Sequence, residues 1–356
     1  MKENFQADGR PLLIGSLPIG DHEDAVELVL KHTPEIPLWV QLPVYREEGM
    51  ISQFLPGLPG LTTEGDKAFI DTASETFDED LLRFYEDYMA DVEGKTDPYN
   101  SRFALKADTA KGFFVLNEHV RLLPSPPIAL KGQITGPITF GTAVKNQNGI
   151  SIFYDEQLRD VAVKLLAQKA RWQAKQLCSF GCPVIIFFDE PALTGFGSSE
   201  FISISYEEVA ACFEEVIQAV HEEGALTGIH VCANADWSLI LESSADIVSF
   251  DAYSYFDRFI LYSDQIKKFI ESGRIIAWGI VPTSKHEDIE RETADSLAAL
   301  WKDKAAEIES LGIDMSVILA HSLITPSCGT GSLSLEHATR VLELTKDVSA
   351  RLRENF

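Results

Sequence analysis

Short runs of apolar, largely β-branched residues recur along the chain at Leu12–Ser16, Leu38–Leu42, Ile128–Gln133, Val184–Asp189, Leu226–His230, Ile247–Asp251, Ile275–Ile280 and Val317–Ile324. They lack the strict apolar–polar alternation of a half-exposed strand. Such runs suit parallel strands covered on both faces. Longer stretches with helical spacing lie between most of them. His22–His32 follows Asp21 as a cap, and Asp155–Phe180 carries Val161, Leu165, Leu166, Ala170 and Leu177 and stops at Gly181. Tyr206–Glu223 stops at Gly224, Asp288–Leu311 stops at Gly312, and Leu335–Arg353 closes the chain. Glycine just past the last helical residue is the usual terminator. This alternation predicts an α/β fold, a (β/α)8 TIM barrel formed as one domain over residues 1–356. The interval 43–127 is too long for a single crossover. It holds a helical pattern at Phe77–Ala90 and the Pro/Gly-rich piece Phe54–Gly60. It reads as a long insertion between the second and third strands, a lid at the barrel mouth.

Charge narrows the function classes. Thirty Lys and Arg stand against 55 Asp and Glu in 356 residues, a formal net charge of −25. Such a chain repels phosphate backbones and anionic lipid, which argues against nucleic-acid and membrane-surface partners. Residues Met1–Asp8 lack a charged-then-apolar signal pattern, and no apolar stretch approaches the roughly 20 residues of a membrane span. The five cysteines (178, 182, 212, 232 and 328) are few and odd in number. A disulfide framework is not expected, and a reducing cytoplasm is.

A barrel places its site where the strands end. The predicted ends read Ile14-Gly15-Ser16, Asp189-Glu190-Pro191, His230-Val231-Cys232 and Phe250-Asp251, with Pro326-Ser327-Cys328-Gly329 after the last. His230 and Cys232 are two apart on a strand, so both project from one face, and imidazole with thiolate is a common zinc pair. Cys328 is the third candidate ligand. Asp251 is the fourth, or else stands behind the ligands. Donors spread over distant strand ends look catalytic rather than structural. His-x-Cys alone is weak, because cysteine often serves as a small buried hydrophobe. That plain reading is preferred for Cys178 and Cys182, at a helix–strand junction, and for Cys212. Asp189 ends a strongly apolar strand and needs a partner, either a substrate ammonium or a salt bridge inside the barrel. The chain lacks GxxxxGK[ST], GxGxxG after a strand, HExxH and GxSxG.

Together these segments, with Lys131-Gly132-Gln133-Ile134-Thr135-Gly136-Pro137 and Asp189-Glu190-Pro191-Ala192-Leu193, resemble the catalytic C-terminal barrel of cobalamin-independent methionine synthase. That barrel belongs to a wider superfamily with uroporphyrinogen decarboxylase. The resemblance covers residue 12 to the end, least well over 43–127. It implies zinc held by His230, Cys232, Cys328 and a carboxylate, with Asp251 where the family has glutamate. It implies homocysteine bound by Ile14, Ser16 and Asp189. The family's second amine-gripping residue falls within Gln41 to Glu48, with Gln41 as the candidate. The family's histidine after strand 7 has no counterpart in Trp278–Ser284. His286 and His321 are the alternatives, and His321 is taken with Asp189 as catalytic. The folate-binding segments are not recognisable, so the resemblance implies a short, core-only S-methyltransferase fed by a methylated corrinoid protein. Zinc would deprotonate and aim the substrate thiol. The alternatives are a corrinoid-dependent enzyme acting on another thiol such as coenzyme M, a metal-free porphyrinogen-type decarboxylase, and a non-catalytic zinc-binding barrel.

Overall fold

The computed structural model describes residues 5–196 and 204–354. Its strands, in chain order, are β1 (Arg10–Pro11), β2 (Leu61–Glu64), β3 (Lys67–Ile70), β4 (Leu130–Thr135), β5 (Val184–Asp189), β6 (Leu226–Val231), β7 (Ile247–Phe250), β8 (Ile275–Val281) and β9 (Ser322–Pro326). Seven form one curled parallel sheet in the order β1-β9-β8-β7-β6-β5-β4. β2 and β3 pair separately as an antiparallel hairpin. The expected second strand is present only as bridges. Leu38 pairs with Lys131 and Gln41 with Ser16, so this segment touches both edges of the sheet. Among the described residues no helix is long and apolar enough to cross a membrane.

Alternation along each strand separates two cores. Val184, Ile186 and Phe188 of β5 join the large cluster under the helices, whereas Ile185 and Phe187 join a second cluster with Leu12, Leu226, Ile247 and Leu323. The second cluster fills the inside of the curl. The inward positions of β5, β6 and β7 turn polar only at their C-terminal ends, at Asp189, His230 and Ser249. Cross-strand pairing puts these three beside one another, Asp189 with His230 and His230 with Ser249.

Most helices form where the spacing places them. Asp155 and Ser205 cap Glu156–Cys178 and Tyr206–His221 with their side chains. Two segments differ from expectation. Asp288–Leu311 is split into His286–Arg291 and Ala294–Glu309, because Thr293 starts the second helix with a reciprocal cap to Ser296. Val317–Ile324 is a helix, Met315–Ala320, followed by β9. Its apolar run buries Ile318 and Leu319 but leaves Val317 38% exposed, the one-sided burial of a helix rather than of an interior strand.

Residues 43–127 hold the β2–β3 hairpin, the helices Phe77–Val92 and Lys111–Leu122, and short 3-10 turns. Phe54, Phe84, Phe103 and Phe113 of this region are fully or almost fully buried in the large core. The helix Lys111–Leu122 packs close to the main chain of 38–41, where a side chain on Gly112 would meet the Val40 carbonyl at 2.1 Å.

Candidate metal centre and adjoining cavity

His230, Cys232 and Cys328 converge at the C-terminal end of the sheet, with one ligand atom from each within 4.8 Å of the others. β6 delivers His230, Cys232 follows one residue past its end, and the turn after β9 delivers the third. Strand pairing fixes the imidazole: His230 Nδ1 lies 2.9 Å from Ser249 Oγ on β7. The other nitrogen, Nε2, is buried and has no partner among the described residues. One nitrogen fixed by a hydrogen bond, with the other left free, is what a metal-binding histidine requires. Tetrahedral zinc with one nitrogen and two sulfur donors separates them by about 3.5–3.8 Å. Small side-chain movements would meet that spacing, and the donor set fits a metal ion of zinc type.

The two thiols share a hydrogen bond, and one of them takes the charge. The Cys328 thiol, and then the nearby His230, hold Cys232 well below the usual thiol range. Cys328 is pushed up by its bond to Cys232 and by burial. All five cysteines are free. Burial pushes Cys178, Cys182 and Cys212 up to about 11, 11 and 12, values of inert interior thiols.

A cavity of about 420 Å³ opens beside these donors, lined in part by Ile14, Gly15, Ser16, Gln41, Glu48 and Asp189. Among the described residues no lysine or arginine lines it. A larger groove of about 880 Å³ lies elsewhere on the surface and contains none of the three donors. Asp189 Oδ1 is buried without a hydrogen bond. Burial raises the Asp189 pKa, against the opposing fields of His230 and Lys131. Glu190, next along, turns away. Its carboxylate takes the Ile138 and Thr139 amides and the Thr139 hydroxyl at 2.6–2.9 Å, and burial pushes it up to about 7 despite them.

The turn at Ile14–Ser16 is tied to the loop that carries Cys328. Ser16 O accepts from Thr330 N and Oγ1, both at 3.0 Å, and Ser16 Oγ accepts from Gly331 N at 3.2 Å. A side chain at Gly329 would crowd this tie, since its Cβ would stand 2.4 Å from Ser16 Oγ. Gln41 reaches the cavity, but its amide nitrogen is committed to Gln53 Oε1 at 2.7 Å.

The structure does not bring every expected residue to this point. Asp251 is absent from the three-donor cluster. Its Oδ1 accepts from Ser254 N at 2.8 Å and caps the helix Ala252–Phe259. Burial raises its pKa, and the field of Cys232 adds to that. His321 ends the helix Met315–Ala320 and precedes β9, at the opposite end of that strand from Cys328. Seven residues of largely extended chain separate the two by roughly 20 Å, so His321 does not reach the three donors. The histidine was placed inside a strand that proves to start one residue after it. His286 packs against His337 with tilted rings 4.6 Å apart and is not among the residues that line the cavity.

Three residues near the site are given no role by the sequence. Glu48 is buried in the cavity wall, with Oε1 2.6 Å from His22 Nε2 and Oε2 accepting from Leu42 N at 2.9 Å. It ends the segment in which an amine-binding acid was sought, and only the fold distinguishes it from Gln41. Ser249 carries no sequence signal beyond being a polar residue in an apolar strand, and Lys131 stands only as the first residue of the Lys131–Pro137 segment, with no role attached.

No family model matches the chain. No curated protein matches it. Solved structures similar to it include a B12-independent methionine synthase from Shewanella sp. W3-18-1 in complex with selenomethionine, at a TM-score of 0.47 and 18% identity over 69% of this chain and 66% of that one. A methyltransferase from Methanosarcina mazei is similar at 0.46 and 16% identity, over 73% and 69%. A GH20 catalytic module of a pneumococcal exo-β-D-N-acetylglucosaminidase is similar at 0.46 and 10% identity, over 96% and 85%. The third score equals the second although its printed activity is unrelated, so the reading of function rests on the residues of the site.

Proposed function

We propose that this chain is a zinc-dependent S-methyltransferase that methylates a thiol, L-homocysteine, with a methylated corrinoid protein as donor. The carrying observation is the convergence of His230, Cys232 and Cys328, with His230 Nε2 unpartnered, on a cavity that also holds the unpartnered carboxylate oxygen of Asp189. Bound zinc would supply Lewis acidity that lowers the pKa of a substrate thiol and directs its sulfur. Ser249 keeps the His230 ring oriented with Nε2 free. Asp189 offers its buried oxygen to the substrate ammonium, with Glu48 as a second acidic wall. The Ile14–Ser16 turn faces the same cavity and is read as the carboxylate subsite. The segment 37–42 is read as the eighth stave of a (β/α)8 barrel, with 43–127 inserted at its mouth. A cytoplasmic setting suits two free ligand thiols.

Two features favour this reading over its rivals. A wall without lysine or arginine suits neither a polycarboxylate porphyrinogen nor a polyglutamylated folate. A receptor pair for an amino acid favours homocysteine over coenzyme M. The test is metal analysis followed by zinc-edge X-ray absorption with and without L-homocysteine. We expect bound zinc and one additional sulfur scatterer on adding the thiol. Zinc that does not respond would move the assignment to another thiol or a structural role, and absence of zinc would overturn it.

A further inference from the structure

Lys131 of β4 points into the curl of the sheet and has no exposed surface. Its ammonium donates to the Ile14 carbonyl at 2.5 Å and to Gln133 Oε1 at 3.3 Å, and stands 4.6 Å from the centre of the Phe187 ring. Asp189 is the carboxylate whose field reaches it, yet the two form no direct ion pair. Burial pushes the lysine down to about 7. An interior ammonium without a direct counter-ion weakens the folded state, and an apolar side chain of similar length would fill the space at lower cost. Packing therefore gives no reason for a lysine at this position.

Its hydrogen bond does. The peptide unit whose oxygen Lys131 holds is the unit whose N–H belongs to Gly15. Hydrogen bonding at the oxygen polarises that unit and strengthens its N–H as a donor. Among the described residues the Gly15 N–H donates to no main-chain acceptor, and Gly15 lines the cavity. When protonated, the lysine also places a positive charge behind a wall that holds Asp189 and Glu48 and, among the described residues, no lysine or arginine.

We propose that Lys131 is a positioning residue that holds and polarises the Ile14–Gly15–Ser16 turn as the receptor for a ligand carboxylate. This rests on the amino-acid thiol reading above. Lys131 touches no ligand and acts through the Ile14 carbonyl.

The experiment is calorimetric binding of L-homocysteine and of 3-mercaptopropylamine, the same thiol-amine without its carboxylate, to the zinc-loaded chain. Lys131→Met should weaken L-homocysteine by about 10- to 100-fold, the range for a lost hydrogen bond to a charged group. Affinity for 3-mercaptopropylamine and zinc content should stay at the wild-type level, and the thermal midpoint should rise. Lys131→Gln keeps a donor without the charge; it should show a smaller loss and serves if the methionine variant does not fold. Equal weakening of both ligands, or no weakening of either, overturns the role of Lys131 alone. A wild-type chain that does not bind L-homocysteine overturns this role together with the reading on which it rests.

Discussion

Separate removal of Cys328 and Asp251 tests which groups hold the metal. Zinc held by four protein donors is worth roughly 10–16 kcal/mol at neutral pH, so one donor carries about 2.5–4 kcal/mol, or about 10²–10³ in Kd. Cys328→Ala removes one of the three converging donors and should weaken zinc by that factor. Asp251 lies outside the cluster and caps the helix Ala252–Phe259 through Ser254 N. Asp251→Ala should therefore loosen zinc by no more than about 10-fold, the low end for a group behind the ligands. It should lower the stability of the metal-free protein by about 1 kcal/mol, the usual worth of an N-cap. Asp251→Asn keeps a side-chain acceptor and should restore most of that stability. Zinc affinity is measured by competition with a chromophoric chelator, and stability by urea unfolding in the presence of a chelator. Zinc loss in Asp251→Ala as deep as in Cys328→Ala would make the aspartate a ligand. Unchanged zinc affinity in Cys328→Ala would refute the site.

Other consequences concern the frame. His32 is buried with neither ring nitrogen partnered among the described residues, and burial lowers its pKa. Its folded value lies below its unfolded value near 6.5, so the stability linked to it is present above about pH 6.5 and is lost as pH falls through the folded value. His32→Leu should gain about 1 kcal/mol at pH 7.5 and more at pH 5.5 in urea unfolding; a gain that shrinks on acidification contradicts this. Gly112→Ala would drive a methyl against the Val40 carbonyl. Overpacking should exceed the better helix propensity of alanine and cost about 2 kcal/mol, and denaturant midpoints equal to wild type would show that the helix can move away.

Much of the architecture was legible because it repeats. β5, β6 and β8 form within a residue of the predicted runs, since continuous β-branched stretches between helical periods have few other folded states. His230 on the inner face follows from the two-residue period of β6, and Cys232 joins it from the bend one residue past the strand. Errors fell where local pattern is degenerate. Four apolar residues at Val317–Ala320 fit a buried helix as well as a strand, and that ambiguity misplaced His321. Leu38–Leu42 looked like a full strand yet pairs only through single bridges.

The sequence by itself determined which residue types end each strand, and so which donors were on offer: an imidazole, two thiols and several carboxylates. It could not rank those carboxylates. Asp189, Glu190, Asp251 and Glu48 all sit near strand ends or in the insertion, and each is buried. Tertiary structure decided among them by where their other partners lie. Glu190 is drawn to the amides at the start of Pro137–Ala143, Asp251 to the amide of Ser254, and Glu48 to His22, while Asp189 keeps an oxygen free toward the cavity. The reason is physical. A buried carboxylate takes the nearest donors, and which donors are near depends on contacts between segments far apart in the chain, which no local pattern encodes.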